Sequence, residues 1–206
     1  MGRPADLSRE RIVAAALALL DERGAPGLTM RGLAARLGVQ AASLYHHVRG
    51  LDDLVDGMQD SVNDAIDLAP LDADDRSGLE AFARSYRAAY RAHPAAADLV
   101  SRRALTAPTA LVVYDALAAH LLRRGVAEAD VMPVMAALDY VVLGAAGESL
   151  AEDVRSTPRD LVAAHPHLAR VTAVTDTDAV DDRAFELSLH VVLSAVDDLV
   201  SAGAPR

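Results

Sequence analysis

The stretch "GLTMRGLAARLGVQAASLYHHVRG", residues 27–50, decides the fold. Thr29 has the character of a helix N-cap, and Leu28 and Leu33 stand at the two positions of a hydrophobic staple around it. Gly38 ends that helix after about two turns. A second short helix is predicted over "VQAASLYHHV", stopping near Gly50. Two short helices joined by about three residues, with glycine at the head of the link, have the spacing of a helix-turn-helix. Leu44 and Val48 give the second of them one narrow apolar face. Gln40, Ser43, Tyr45, His46, His47 and Arg49 crowd the remainder.

Working outward, the chain before this stretch supplies the third helix of a small domain. Ser8 is its N-cap, Leu7 and Ile12 its staple, and Gly24 its closing glycine. Between them Ile12, Ala15, Ala16, Leu19 and Leu20 recur at the helical period. Leu33, Leu37, Val39, Leu44 and Val48 can meet that stripe in a three-helix core, which turns the polar face of the third helix outward. Downstream, "LDDLVDGMQDSVNDAIDL" (51–68) predicts a fourth helix burying Leu51, Leu54, Val55, Met58, Val62 and Ile66. Asp52 and Asp53 suit its positive N-terminal end. After the turn-rich "APLDADDRSG" (69–78), helices are predicted over about 78–92, 95–105, 108–124, 127–152, 159–171 and 179–202. Pro94, Pro108, Gly125, Pro158 and "TDTD" (175–178) punctuate them. No strand pattern or tandem repeat occurs.

Composition agrees with an all-α chain: 52% of residues are hydrophobic, chiefly Ala, Leu and Val, and only 3% are aromatic. With no cysteine, disulfides and thiolate metal sites are excluded. No apolar run reaches the roughly 18–20 uninterrupted residues of a membrane span, and "MGRPADLSRER" lacks the apolar core of a signal peptide. A soluble cytoplasmic protein with no membrane partner is expected. The net charge of −10 argues against nucleic acid until the chain is divided. Residues 1–50 hold seven arginines against four acids, a net +3, whereas residues 51–206 carry −13. A basic head on an acidic body points to a polyanion at one end only. Every Lys/Arg position is arginine, which GC-rich coding explains better than function does.

A groove-reading helix needs side chains that reach base edges and others that bind phosphate. Gln40 suits adenine, Ser43 and Tyr45 suit phosphate or base edges, His46 and His47 suit either, and Arg49 suits phosphate. Arg31 at the start of the second helix can pair with guanine, and Arg3 in "GRP" can enter a minor groove as a flexible arm. Each side chain alone fits core packing or a solvated face equally well. Together with the helix-turn-helix spacing and the local charge they favour double-stranded DNA.

Residues 8–58 resemble the DNA-binding domain of the tetracycline-repressor family. The motifs are "IVAAALALLDERGAPGLTMRGLAARLGV" followed by "SLYHHVRGLDDLVDGM". The resemblance implies DNA contacts from Thr29, Arg31 and positions 41–47, including Ala41, Tyr45 and His47. Ala41 and Ala42 stand where relatives often carry larger readers, so Gln40, Ser43 and His46 take more of the specificity. Leu51 replaces a basic residue common at the start of the fourth helix. The rest of the chain resembles the family's helical ligand-binding and dimerisation domain. "SYRAAYRAHP" (85–94) and "LDYVVLGAAGESL" (138–150) are similar to the tetracycline-repressor subgroup in particular. There a histidine holds a drug-borne magnesium; Val100 falls at that place here, which argues against a magnesium–tetracycline ligand, while Glu148 aligns with an acidic residue of that site.

The expectation is therefore an all-α, homodimeric transcriptional repressor, not an enzyme, with residues 1–50 binding operator DNA and 51–206 dimerising and binding a small effector. The last helix, with Ala184, Leu187, Leu189, Val191, Val192, Val196 and Leu199, packs with the helix about 127–152 at the dimer interface. The ligand-facing set expected is Met58, Val62, Tyr86, Tyr90, Val100, Tyr114, Leu138 and Glu148, around an apolar, mostly uncharged pocket with tyrosines as polar handles. Gly144 and Gly147 either admit a close helix or leave room for ligand. Asp52, Asp56, Asp60 and Asp64 form an acidic row that reads as a solvated face before a metal site. His165 with His167, and Glu186 with His190, are weaker metal pairs. No HExxH, GxSxG, phosphate-binding glycine loop or Glu-x-x-His occurs, so no metal or cofactor is expected. Two rival classes are an all-helical enzyme using Glu148 or the histidines, and a DNA-binding protein without an effector.

Overall fold

The computed structural model describes residues 7–101, 107–147, 149–176 and 179–203, and no strand occurs among them. Helix α1 spans Arg9–Gly27, and the Ser8 hydroxyl accepts the Arg11 backbone N–H at 3.2 Å to cap it. Gly24 adopts a φ of 64°, so the straight run stops there and a tight turn carries on to Gly27. Helix α2, Met30–Leu37, starts at Thr29, whose hydroxyl accepts the Gly32 N–H at 3.0 Å. It ends at Gly38 with a φ of 68°. These caps sit where local sequence chemistry puts them.

Helix α3 is shorter than the helix expected over 39–48. It spans Ala41–Leu44 and continues as hydrogen-bonded turns to Val48. Gln40 provides no side-chain cap, and at the other end Asp53 competes with the helix for the chain. Its carboxylate accepts the Arg49 backbone N–H at 2.8 Å and draws the segment into the next helix. Leu44 and Val48 are fully buried, and α3 packs on α2. Leu44→Ala would cost about 2–5 kcal/mol, more than a four-residue helix can spare.

Helix α4, Leu51–Asn63, stops short of the predicted residue 68. Tight turns bond Ala65 N–H to Val62 O and Ile66 N–H to Asn63 O, and the Asp67 N–H goes to the Ser85 hydroxyl at 2.8 Å. A 3₁₀ turn at Ala69–Asp72 leads to α5, Arg76–Arg91, capped by Asp75. Then follow α6, Pro94–Ser101, and α7, Pro108–Arg123. Helix α8 covers Glu128–Gly147, and the helix predicted to residue 152 is broken there. Ser149 starts α9, Leu150–Ser156, by accepting the Glu152 N–H at 3.1 Å. The single helix predicted over 159–171 is two, α10 (Arg159–Ala163) and α11 (Pro166–Thr172). Pro166 holds His165 in extended backbone and separates them. Helix α12, Val180–Gly203, closes the body.

α8 packs against α5, α6, α7 and α12 through Val131, Val134, Met135, Leu138, Val142 and Ala146. By length and composition alone it could cross a bilayer, with a mean hydropathy of 1.5. Asp130 and Asp139 interrupt its apolar run. α12 is strapped to α5 by ion pairs, Arg84 to Glu186 at 2.7 Å and Arg87 to Asp182 at 2.8 Å, with the Arg87 guanidinium over the Phe185 ring. One buried cluster runs from Ile12 to Val196, so head and body share a continuous core. α1 rests on both α4 and α6.

Candidate functional site

The head presents the expected side chains to solvent. Gln40, Tyr45, His46, His47, Arg49, Arg31 and Thr29 are exposed, and Ser43 is half-buried. Tyr45 keeps 54% of its surface open, a large aromatic ring with no place in the core. Ala41 packs partly against the core, and Thr29 already spends its hydroxyl on the α2 cap. Arg3 lies outside the described residues. The reading face is positioned from beneath by Arg9 of α1, which donates from both Nη atoms to the Asp53 carboxylate, each at 3.1 Å. Arg9 also donates to the His47 carbonyl at 3.3 Å. These bonds, with the Arg49 N–H, hold the Asp53 carboxyl far below the usual carboxylate range.

In the body a cavity of about 460 Å³ opens among α4, α5, α6, α7 and α8. Asp139 is its hub. Its Oδ1 accepts the Tyr86 hydroxyl at 3.2 Å, and its Oδ2 accepts the Tyr114 hydroxyl. Gln59 and Asn63 of α4, Asp98 and Val100 of α6, and Tyr140, Leu143 and Gly144 of α8 complete the polar and apolar walls. Behind Asn63, the Tyr90 hydroxyl donates to its Oδ1 at 2.8 Å, and its Nδ2 donates to Thr109 Oγ1 at 3.2 Å. Thr109 in turn donates to Asp60 at 2.6 Å, which removes Asp60 from the solvated acidic row. Burial pushes the tyrosine hydroxyls of Tyr86, Tyr90 and Tyr114 above their ordinary values. It pushes the Asp139 carboxyl up as well, against the pull of its two tyrosine partners.

Of the ligand-facing set, Tyr86, Val100 and Tyr114 meet at this cavity. Met58, Val62 and Leu138 do not line it: their apolar side chains point into the buried core. Tyr90 is also buried and reaches the cavity only through Asn63. Glu148 lies outside the described residues. Most of the lining is uncharged, but Asp98 and Asp139 add two carboxylates to the expected tyrosine handles. Close helix packing requires neither glycine: a Cβ at Gly147 would lie at ordinary contact distance, 3.5 Å from Ala97 of α6, and one at Gly144 would face open space. The sequence signal missed was Asp139 itself, a carboxylate one turn from the core residues Met135 and Val142 of an apolar helix. The weaker metal pair on α12 is otherwise engaged, Glu186 by Arg84 and His190 by Arg76 at 3.2 Å. Among the described residues no three metal-ligating side chains converge.

An exposed helix-turn-helix face joined to a helical body with an internal cavity defines a one-component regulator, a class in which one chain carries both parts. The comparisons name the family. Residues 12–58 match the model for bacterial regulatory proteins of the tetR family, and residues 69–200 match the tetracyclin repressor-like C-terminal domain. The chain belongs to the tetR family of transcriptional regulators. A transcriptional regulator of Saccharopolyspora erythraea is 39% identical over 140 residues, the match taking in 67% of this chain and 59% of that one. The chain thus spans less than two thirds of that relative's length. The class A tetracycline repressor from transposon 1721 of Escherichia coli is 32% identical over 92% of this chain and 90% of its own. Among solved structures, ActR of Streptomyces coelicolor in complex with (S)-DNPA superposes with a TM-score of 0.71 at 27% identity, covering 97% of this chain and all of that one.

Proposed function

We propose that this chain is a cytoplasmic homodimeric repressor that binds a palindromic operator through residues 1–50 and releases it when a small effector fills the cavity of residues 51–206. One observation carries the reading: α6 forms a wall of the cavity and also packs on α1 of the head, so one short helix touches both functions. An effector that fits better when α6 and the head are displaced would lower operator affinity by that preference. α4 is the second lever, since it bears Gln59 and Asn63 at the cavity and packs on α1 at its other end. The (S)-DNPA complex of ActR supports a small-molecule effector for this chain as well, and an open cavity favours that over an effector-free DNA-binding protein. Relatives are regulators, and this reading assigns the chain no reaction.

Dimerisation is supported by α8 and α12. Leu189 and Val196 of the expected interface face turn into the chain's own core, but Leu187 and Val191 remain exposed, as do Met132 and Tyr140 of α8. A second copy would cover this apolar surface. Selection of bound sequences from a random DNA pool tests the reading, with sedimentation of the purified chain. The expected result is a palindrome with half-sites about 10 bp apart, bound by a dimer and weakening steeply with salt. No sequence preference, or a monomer on an asymmetric site, would overturn it.

A further inference from the structure

We propose that the effector cavity is built for a lipophilic organic cation, a protonated amine carried on an aromatic or polycyclic apolar body. The inference rests on reading the cavity as the effector site. Its first support is Asp139. Two tyrosine hydroxyls occupy one acceptor position on each carboxylate oxygen, and a carboxylate has further lone pairs to offer. Burial weighs against the charge there, and phenols repay it only in part. A cation beside Asp139 would repay the rest.

The second support is independent of charge. Gln59 is 5% exposed and lines the cavity, yet its Oε1 has no hydrogen-bond partner. That carbonyl oxygen is a buried acceptor open to a donor from the ligand. Ammonium groups supply several donors and accept nothing.

The third support is what else lines the space. Among the described lining residues there is no Arg, Lys or His. An anion would have to sit beside the Asp139 carboxylate. Tyr86, Tyr114 and Tyr140 line the space with aromatic side chains, and Val100, Val113 and Leu143 offer apolar wall to the ligand's body. The volume suits a small polycyclic molecule.

Three probes of one shape test this: 2-naphthylmethylamine, 2-naphthalenemethanol and 2-naphthoate, titrated calorimetrically into the full chain at neutral pH. The amine is expected to bind at least about tenfold tighter than the alcohol, ~1.4 kcal/mol, with the naphthoate weakest. Asp139→Asn should bring the amine down to the alcohol. Gly144→Leu, which fills open space, should abolish its binding and so separate the cavity from the acidic surface. Equal or tighter binding of the alcohol or naphthoate, no amine binding by about 1 mM, a preference surviving Asp139→Asn, or amine binding unaffected by Gly144→Leu would each overturn the proposal. The probe series on the unmodified chain decides even if a variant fails to fold. Operator binding is measured alongside. Amine preference without operator binding sinks the regulator reading alone, and operator binding without amine preference sinks this inference alone.

Discussion

His93, in the link between α5 and α6, places its Nδ1 2.8 Å from the Asp21 carboxylate of α1. The pair joins the body to the head beside α6, where the cavity wall begins. Both side chains are partly solvated, so Asp21→Ala should cost no more than about 1 kcal/mol of stability. Operator affinity should still fall about fivefold or more, because the head loses a fixed orientation on the body. Thermal melting and fluorescence anisotropy on labelled operator measure the two effects at one protein concentration. An unchanged affinity would show that the pair only decorates the joint.

Arg31 and Tyr45 are exposed and stabilise no core. Replacing both with alanine should remove specific operator binding and leave melting temperature and dimer mass unchanged. Gel shifts against specific and scrambled DNA, beside sedimentation, measure this. Retained specific binding would remove both residues from the reading surface.

Asp53 accepts from Arg9 and from the Arg49 N–H. Asp53→Asn should destabilise the head by about 1–2 kcal/mol at pH 7, the low end for charge-assisted bonds because Arg9 is partly solvated. The folded pKa is depressed, chiefly by the Arg9 bond. The contribution is therefore full above the unfolded value, ~3.9, and is lost as pH falls toward the folded one. Urea unfolding should show the variant and the unmodified chain converging as pH drops below about 4. A constant gap would contradict the assignment.

His120 is completely buried, its Nδ1 3.0 Å from the Leu71 carbonyl and its Nε2 without a partner. Burial lowers its pKa, with Arg123 and Arg124 adding to the effect. Between that lowered value and ~6.5 the unfolded chain binds more protons than the folded one, so stability should fall as pH drops below about 6.5. His120→Gln keeps a donor for Leu71 and should flatten that slope in urea titrations at pH 7 and pH 5.5. An equal slope in the variant would exclude His120 as its source.

Local signals in the sequence located the head. Ser8, Thr29, Gly24 and Gly38 act within a few residues of themselves, and the structure places each cap where its side chain or φ allows. α3 is shorter because the competitor for its backbone, Asp53, belongs to the next helix. The breaks at Ser149 and Pro166 were marked by their residue types, but an apolar pattern carries across such marks. The cavity was only half legible. Tyr86 and Tyr114 stood out as rare aromatics, whereas Gln59, Asn63 and Asp139 matter only because α4, α5, α7 and α8 bring them together. Met58, Val62 and Leu138 have the character of pocket wall and of core equally, and packing alone separates the two.

α3 and the turns after it are fastened to the domain by Leu44 and Val48, with Ala41 packing partly beneath, and the exposed side chains between them contribute little to the fold. Positions 40, 43, 46 and 47 can therefore change with almost no folding penalty. A duplicated copy of this gene could drift toward a different operator one substitution at a time, each intermediate remaining folded. Target choice and structural integrity are thus separable in evolution, with Leu44 and Val48 the buried anchors that stay fixed while the exposed positions diversify.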